Sequence, residues 1–89
     1  MAPLDDEQVQ ARIDELEREE QSLRRDEGEA ADAERPEKVV ADAARIEAIR
    51  VELDQLWDYL RQRRALRAAG QDPDGAQMRG PGTVERYLG

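Results

Sequence analysis

Residues 39–70, VVADAARIEAIRVELDQLWDYLRQRRALRAAG, decide the fold of this 89-residue chain. Apolar side chains recur there every three or four residues, which is typical of an amphipathic helix with one broad apolar stripe. The stripe comprises Val39, Ala43, Ile46, Ile49, Leu53, Leu56, Trp57 and Leu60. Pro36 suits the first turn, where its missing N–H needs no acceptor. Gly70 suits the C-terminal cap, so the pattern predicts a helix over residues 36–69.

A second periodic stretch lies upstream and predicts a helix over residues 5–27. Its seam has the four-and-three spacing of a coiled coil with one polar position. The seam positions are Val9, Ile13, Leu16, Glu20 and Leu23. Asp5 and Gln8 have the spacing of a capping box, which marks the start of the helix. Gly28 is the predicted cap at its end, which leaves residues 28–35 as the connection.

The two predicted helices fold back on each other as an all-α, two-helix antiparallel hairpin with a coiled-coil-like seam, over residues 1–70. This arrangement places Leu16 near Ile46. Glu20 is expected to pair with Arg45 or Arg50 and to set the register. The stripe of the second helix is wider than one partner helix covers. We therefore form the hypothesis that two hairpins associate as a homodimer.

Residues 71–89 form a turn-rich C-terminal tail. Asp72-Pro73-Asp74-Gly75 and Gly80-Pro81-Gly82 are turn sequences, and residues 83–88 are long enough for one helical turn. Two forms of the tail stay open, an ordered hook and a loose tail. The first of these turns resembles part of a calcium loop. It lacks the regular series of acids and the closing Glu of such a loop, so we expect no metal.

Composition excludes several classes of function. The chain has no Cys and no His, which removes disulfides, thiolate nucleophiles and the usual zinc ligands. The formal net charge is -8, and residues 1–34 alone carry -9 whereas residues 61–89 carry +3. An acidic body of this kind disfavours nucleic acid and anionic membranes. We expect a cytoplasmic protein that is not an enzyme and binds no cofactor.

The candidate interaction surface lies at the end of the second helix and in the tail. Four guanidinium groups within two helical turns suit either phosphates or an acidic protein surface. The alternative is that they compensate the helix dipole and pair with the acidic first helix. Trp57 is expected to pack in the seam, and Tyr59 to point away from it. The candidate residues are Trp57, Arg61, Arg63, Arg64, Arg67, Asp72, Asp74 and Arg79.

A family resemblance covers nearly the whole chain. LDQLWDYLRQRRALRAAGQDPDG (residues 53–75), the Met78-Arg79 pair and the closing VERYL (residues 84–88) resemble a family of small actinobacterial proteins defined as a domain of unknown function. The opening LDDEQVQARIDELEREEQSLRR (residues 4–25) is similar to that family's acidic first helix. The resemblance implies a soluble bacterial protein with two helices and a tail motif, and it brings no established activity.

Two functions stay open on these observations. The first is a small non-enzymatic interaction or regulatory module, in which the arginines and the tail contact an unidentified protein partner. The second is a regulator that responds to a nucleotide or a nucleic acid, in which the same arginines hold phosphates.

Overall fold

The computed structural model describes residues 4–32 and 34–80 of the chain. Two helices, α1 over Asp6–Asp32 and α2 over Pro36–Ala68, are followed by a 3₁₀ turn over Pro73–Gly75. Strands are absent from these described residues. The two helices pack against each other in antiparallel directions, which confirms the predicted all-α hairpin.

α1 begins at the predicted capping box. The Asp5 N–H donates to Gln8 Oε1 at 2.9 Å, and the Gln8 N–H donates to Asp5 Oδ1 at 2.8 Å. Each residue therefore supplies an acceptor for a backbone donor that has no partner inside the helix.

The end of α1 differs from the prediction. The helix continues through Gly28 to Asp32, so Gly28 is not its cap. A single glycine inside a helix lowers helix stability by about 1 kcal/mol relative to alanine. The Ala and Glu residues that follow Gly28 have high helix propensity, so the helix continues past it. The described part of the connection is Glu34, which has a positive φ of 57°, and Arg35. α2 then begins at Pro36, as predicted.

The seam has heptad spacing on both helices. On α1, Val9, Ile13 and Leu16 are fully buried, as the pattern predicts. On α2 the inward positions again step by four and three residues. They are Asp42, Ile46, Ile49, Leu53, Leu56, Leu60 and Arg63, with Leu53 half-buried and the others buried.

The predicted stripe of α2 is wrong at several positions. Ala43 is exposed and Trp57 is only half-buried at the edge of the core. Tyr59, by contrast, is buried in the core and donates from its hydroxyl to the Leu4 carbonyl at 3.2 Å. The prediction assigned positions by polarity alone. It therefore excluded Asp42 and Arg63, which the 4–3 spacing places inside, and also Tyr59, which is buried beside Leu60 although it lies outside that spacing.

Ion pairs along one flank of the seam set the register. Arg12 pairs with Glu52 at 2.7 Å, and Glu19 pairs with Arg45 at 2.6 Å. The two pairs lie one heptad apart on each helix, and Leu16 and Ile49 lie midway between them. These pairs place Leu16 opposite residue 48, so the predicted pairing of Leu16 with Ile46 is two residues off, which is about half a helical turn.

The predicted role of Glu20 is also wrong. This carboxylate contacts Arg24 on its own helix at 3.4 Å, while Arg45 binds Glu19 and Arg50 contacts Glu47. Glu20 is half-buried at its seam position, and its side chain leaves the seam toward the next turn of α1.

α2 ends in the geometry that Gly70 was predicted to provide. Gly70 has a φ of +74°, the Gln71 N–H donates to the Leu66 carbonyl at 2.8 Å, and the Gly70 N–H donates to the Arg67 carbonyl at 3.1 Å. This pair of hydrogen bonds is a Schellman motif. It reverses the chain and directs the tail back along α2.

The described part of the tail packs on α2. Asp72 caps the 3₁₀ turn by accepting the Asp74 N–H at 2.9 Å, and Ala76 joins the core with 8% of its surface exposed. The tail therefore lies along Leu66, Gln62 and Gln55, none of which belongs to the predicted stripe. Residues 83–88, which are long enough for one helical turn, lie outside the described residues.

Candidate interaction surface

Arg63 lies at the centre of the contacts between the hairpin and the tail. Its guanidinium donates to Asp6 Oδ1 at 2.6 Å, to Asp74 Oδ1 at 2.9 Å and to the Pro73 carbonyl at 3.3 Å. The hydrogen bonds to Asp6 and Asp74 raise the pKa of Arg63, which keeps the group charged although only 5% of its side chain is exposed. One buried cation thus joins α1, α2 and the tail.

Gln62 holds the tail by pairing with its backbone. The side-chain amide donates to the Gln77 carbonyl at 2.7 Å and accepts the Gln77 N–H at 3.1 Å. This reciprocal pair copies the hydrogen bonding between two strands. Two turns earlier on α2, Gln55 Nε2 donates to the Arg79 carbonyl at 3.2 Å.

Asp58 and Arg79 form the third contact with the tail. Arg79 Nε and Nη2 donate to the two Asp58 oxygens at 2.9 and 2.8 Å, a bidentate geometry. Only 2% of the Asp58 side chain is exposed, and Gln62 supplies a further hydrogen bond at 2.9 Å. We name the contacts of Gln55, Asp58, Gln62 and Arg63 with residues 73–79 the tail clamp.

Arg67 extends this network to the start of α1. Its Nη2 donates to Asp6 Oδ2 at 2.9 Å. The hydrogen bonds from Arg63 and then from Arg67 hold the pKa of the Asp6 carboxyl below its ordinary value of 3.8. These two pairs match the sequence-based alternative in which the arginines pair with the acidic first helix.

Three of the candidate residues lie on a separate face of α2. Trp57, Arg61 and Arg64 are spaced by four and three residues, so they share one side of the helix. Arg61 and Arg64 are exposed, and neither makes an ion pair with any residue that the structure describes. We name these three residues the outward face.

The structure therefore divides the eight candidate residues into two groups. Arg63, Arg67, Asp72, Asp74 and Arg79 hold the tail and the start of α1, and Trp57, Arg61 and Arg64 form the outward face. The sequence analysis missed Asp6, Asp58 and Gln62. Asp58 and Gln62 lie four residues apart on the side of α2 away from the seam. Two polar side chains at this spacing, followed by a polar tail, are the signal in the sequence that could have identified them.

The described residues contain neither a metal-binding cluster nor a membrane-spanning helix. In residues 4–32 and 34–80, no group of three or more acidic side chains is placed to hold a metal ion. Neither α1 nor α2, as far as they are described, is apolar enough over a sufficient length to cross a bilayer.

Comparisons with known proteins show the family. The family described as "Protein of unknown function (DUF2630)" matches residues 5–89. Uncharacterized proteins of Mycobacterium bovis and Mycobacterium tuberculosis are 58% identical over 41 residues, which is 46% of this chain and 47% of each relative. The aligned part thus spans about half the length of these curated relatives. No solved structure matches significantly. The resemblance found in the sequence is confirmed, and the chain belongs to this family of proteins of unknown function.

Proposed function

We propose that this chain is a non-enzymatic interaction module that binds an acidic surface of a partner protein through its outward face. One observation carries the proposal. Arg61 and Arg64 are exposed guanidinium groups without an ion pair among the described residues, on a chain of net charge -8.

The surroundings of these two arginines explain why they lack internal partners. Helix residues pair with neighbours three or four positions away. The one carboxylate at such a distance is Asp58, which the tail clamp already engages through Arg79. The remaining neighbours at these distances are Trp57, Leu60, Arg64, Ala65, Arg67 and Ala68. A carboxylate that pairs with Arg61 or Arg64 has to come from elsewhere.

The composition of the outward face fits a protein partner. Tryptophan and arginine are the residues most enriched in the energetic centres of protein interfaces. Trp57 is half-buried against the core, so its indole is held in place and loses little conformational freedom on binding. Arg61 and Arg64 beside it supply donors for carboxylates.

The nucleotide or nucleic-acid alternative has less support from the geometry. Of the four clustered arginines, Arg63 is buried by its contacts and Arg67 is paired with Asp6. The two that remain, Arg61 and Arg64, supply less positive charge for binding phosphates than all four arginines would. The charge of -9 on residues 1–34 also opposes a polyanion.

The same reasoning extends to activity, location and self-association. We propose a cytoplasmic protein, because a chain without Cys does not depend on an oxidising compartment. We propose no catalysis, because His and Cys are absent from the sequence and the buried Asp58 is committed to Arg79. The homodimer stays a prediction that rests on the width of the predicted α2 stripe.

The proposal is tested by charge reversal of the outward face. Tagged protein is used to capture partners from cells of the source organism, and is compared with the double variant Arg61→Glu/Arg64→Glu. We expect a specific protein whose recovery falls at least about tenfold in the variant, since like charges across an interface cost several kcal/mol. Circular dichroism should show unchanged helicity, because both residues are exposed.

The matched control is Arg18→Glu/Arg25→Glu on α1. It makes the same change in net charge at two exposed arginines away from the outward face. The control should retain the partner. Equal loss in both double variants, or no captured protein, contradicts the proposal. Copurified material that absorbs near 260 nm and is lost only with Arg61→Glu/Arg64→Glu favours the nucleotide alternative instead.

A further inference from the structure

One stripe of side chains runs along the side of α2 away from the seam. Its members follow each other at three or four residues and therefore share a face. They are Val40, Ala44, Ala48, Val51, Gln55, Asp58, Gln62 and Leu66. We name them the outer stripe.

The tail covers the C-terminal half of the outer stripe. It runs antiparallel to α2: Gly75 lies against Leu66, Gln77 pairs with Gln62, and the Arg79 carbonyl accepts from Gln55. At residue 80 the described tail has reached Gln55 and is directed toward the start of α2.

The N-terminal half of the outer stripe is apolar and is left uncovered by the described residues. Val40 is 69% exposed, Ala44 and Ala48 are exposed, and Val51 is half-buried. At the far end, Pro36, Val39 and Val40 line part of a hollow of about 440 Å³. This apolar surface is continuous with the interface that the tail already makes.

Residues 81–89 have the length and the composition to cover this surface. From Gln55 to Val40 the helix rises about 22 Å, at 1.5 Å per residue. Nine residues in extended conformation span up to about 30 Å, so the segment reaches the hollow. It carries Val84, Tyr87 and Leu88, and the family match includes it.

We propose that residues 81–89 continue the path of the tail and dock on Val40, Ala44, Ala48 and Val51. Docking removes Val40 and the alanines from water, and the segment buries its own Val84, Tyr87 and Leu88 in the same step. α2 is then enclosed along its length by α1 on one side and by the tail on the other. This inference is independent of the proposed function, because the outward face lies on a different side of α2.

Disulfide trapping tests the docking directly, because the chain has no native Cys. Ala48→Cys is combined in turn with Val84→Cys, Tyr87→Cys or Leu88→Cys in the full chain. The matched control places the first cysteine at Arg50, which is exposed at the same height on another side of α2. A disulfide needs Cα atoms within about 7 Å, so at least one Ala48 pair should close about tenfold faster than its Arg50 control.

Mass spectrometry identifies the disulfide that forms, and light scattering shows whether the product is a monomer or a dimer. An intramolecular disulfide in a monomer supports the proposal. Equal rates for the Ala48 and Arg50 series overturn it, as does a product that consists of disulfide-linked dimers, which would assign the stripe to a second copy of the chain.

Amide hydrogen exchange gives a second measurement that needs no cross-link. Docking predicts that the amides of residues 83–88 exchange at least about tenfold more slowly than free peptide. Ala48→Asp should abolish that protection, whereas Ala43→Asp, an exposed alanine outside the outer stripe, should leave it unchanged. Free-peptide exchange rates in the unsubstituted chain, or equal loss in both variants, overturn the proposal.

Discussion

Replacing Arg79 by alanine should destabilise the fold far more than replacing an arginine that is exposed on the surface of a helix. The substitution removes both hydrogen bonds that the guanidinium donates to Asp58. It leaves the Asp58 carboxylate, of which 2% is exposed, with the amide of Gln62 as its described partner. The free energy of unfolding should therefore fall mainly because a buried charge has lost its counter-ion.

The magnitude follows from the burial of the two partners. Removing one member of a buried ion pair costs about 3–5 kcal/mol when the charge left behind stays dry. The Arg79 side chain is 39% exposed, so water can enter the space that it vacates. We therefore expect a loss of about 2–3 kcal/mol, since solvation offsets part of the penalty. For a domain of this size the loss lowers Tm by roughly 10–20 °C.

Thermal unfolding followed by circular dichroism, with Trp57 fluorescence as a second probe, measures this loss. The exposed Arg64→Ala is the control and should stay within about 0.5 kcal/mol of the unsubstituted chain. The double variant Asp58→Ala/Arg79→Ala removes the stranded charge and should be more stable than Arg79→Ala alone. If Arg79→Ala behaves like the control, or if the double variant is the less stable of the two, the reasoning is refuted.

Three further predictions concern the end of the hairpin where α1 begins and α2 ends. Because the pKa of Asp6 is lowered in the folded state, its ion pairs stabilise the fold above about pH 3.8, and this stability is lost as the pH falls through the folded-state pKa. In Asp6→Asn, the free energy of unfolding should therefore fall less steeply as the pH is lowered through this range. Tyr59→Phe deletes the hydrogen bond to the Leu4 carbonyl and should cost about 1 kcal/mol in chemical denaturation. Gly70→Ala places a Cβ at a φ of +74° with no neighbouring atom within 4 Å, so strain alone should lower stability by about 1 kcal/mol, measured in the same assay.

The sequence predicts the parts of the fold that depend on local geometry. The Asp5 and Gln8 capping box, the start of α2 at Pro36 and the cap at Gly70 each follow from the chemistry of one or two residues, and all three are present. The heptad spacing of α1 likewise identifies its buried positions. Such features need no knowledge of what packs against them.

The features that were not predicted from the sequence depend on contacts between residues far apart in the chain. Tyr59 and Asp58 fall outside the apolar stripe, so polarity places them in solvent. Asp58 is buried where residues 73–79 return along α2, and its carboxylate accepts from Gln62 and Arg79. Tyr59 is buried in the core, and its hydroxyl donates to the Leu4 carbonyl. A pattern along one helix does not contain these contacts, since Arg79 lies 21 residues from Asp58 and Leu4 lies 55 residues from Tyr59.

The tail clamp also changes how the family motif should be interpreted. Residues 53–79 include the stretch whose resemblance to the family is described in the sequence analysis, and their polar side chains hold the tail. Two helices that meet along a single row of apolar side chains bury little surface. The tail, residues 73–79, therefore contributes to stability as a third packing element. Folding alone therefore accounts for Asp58, Gln62, Arg63 and Arg79 within the motif. Arg61 and Arg64 are exposed and make no ion pair with any residue that the structure describes, so among relatives these two positions should vary with the partner while the clamp stays the same.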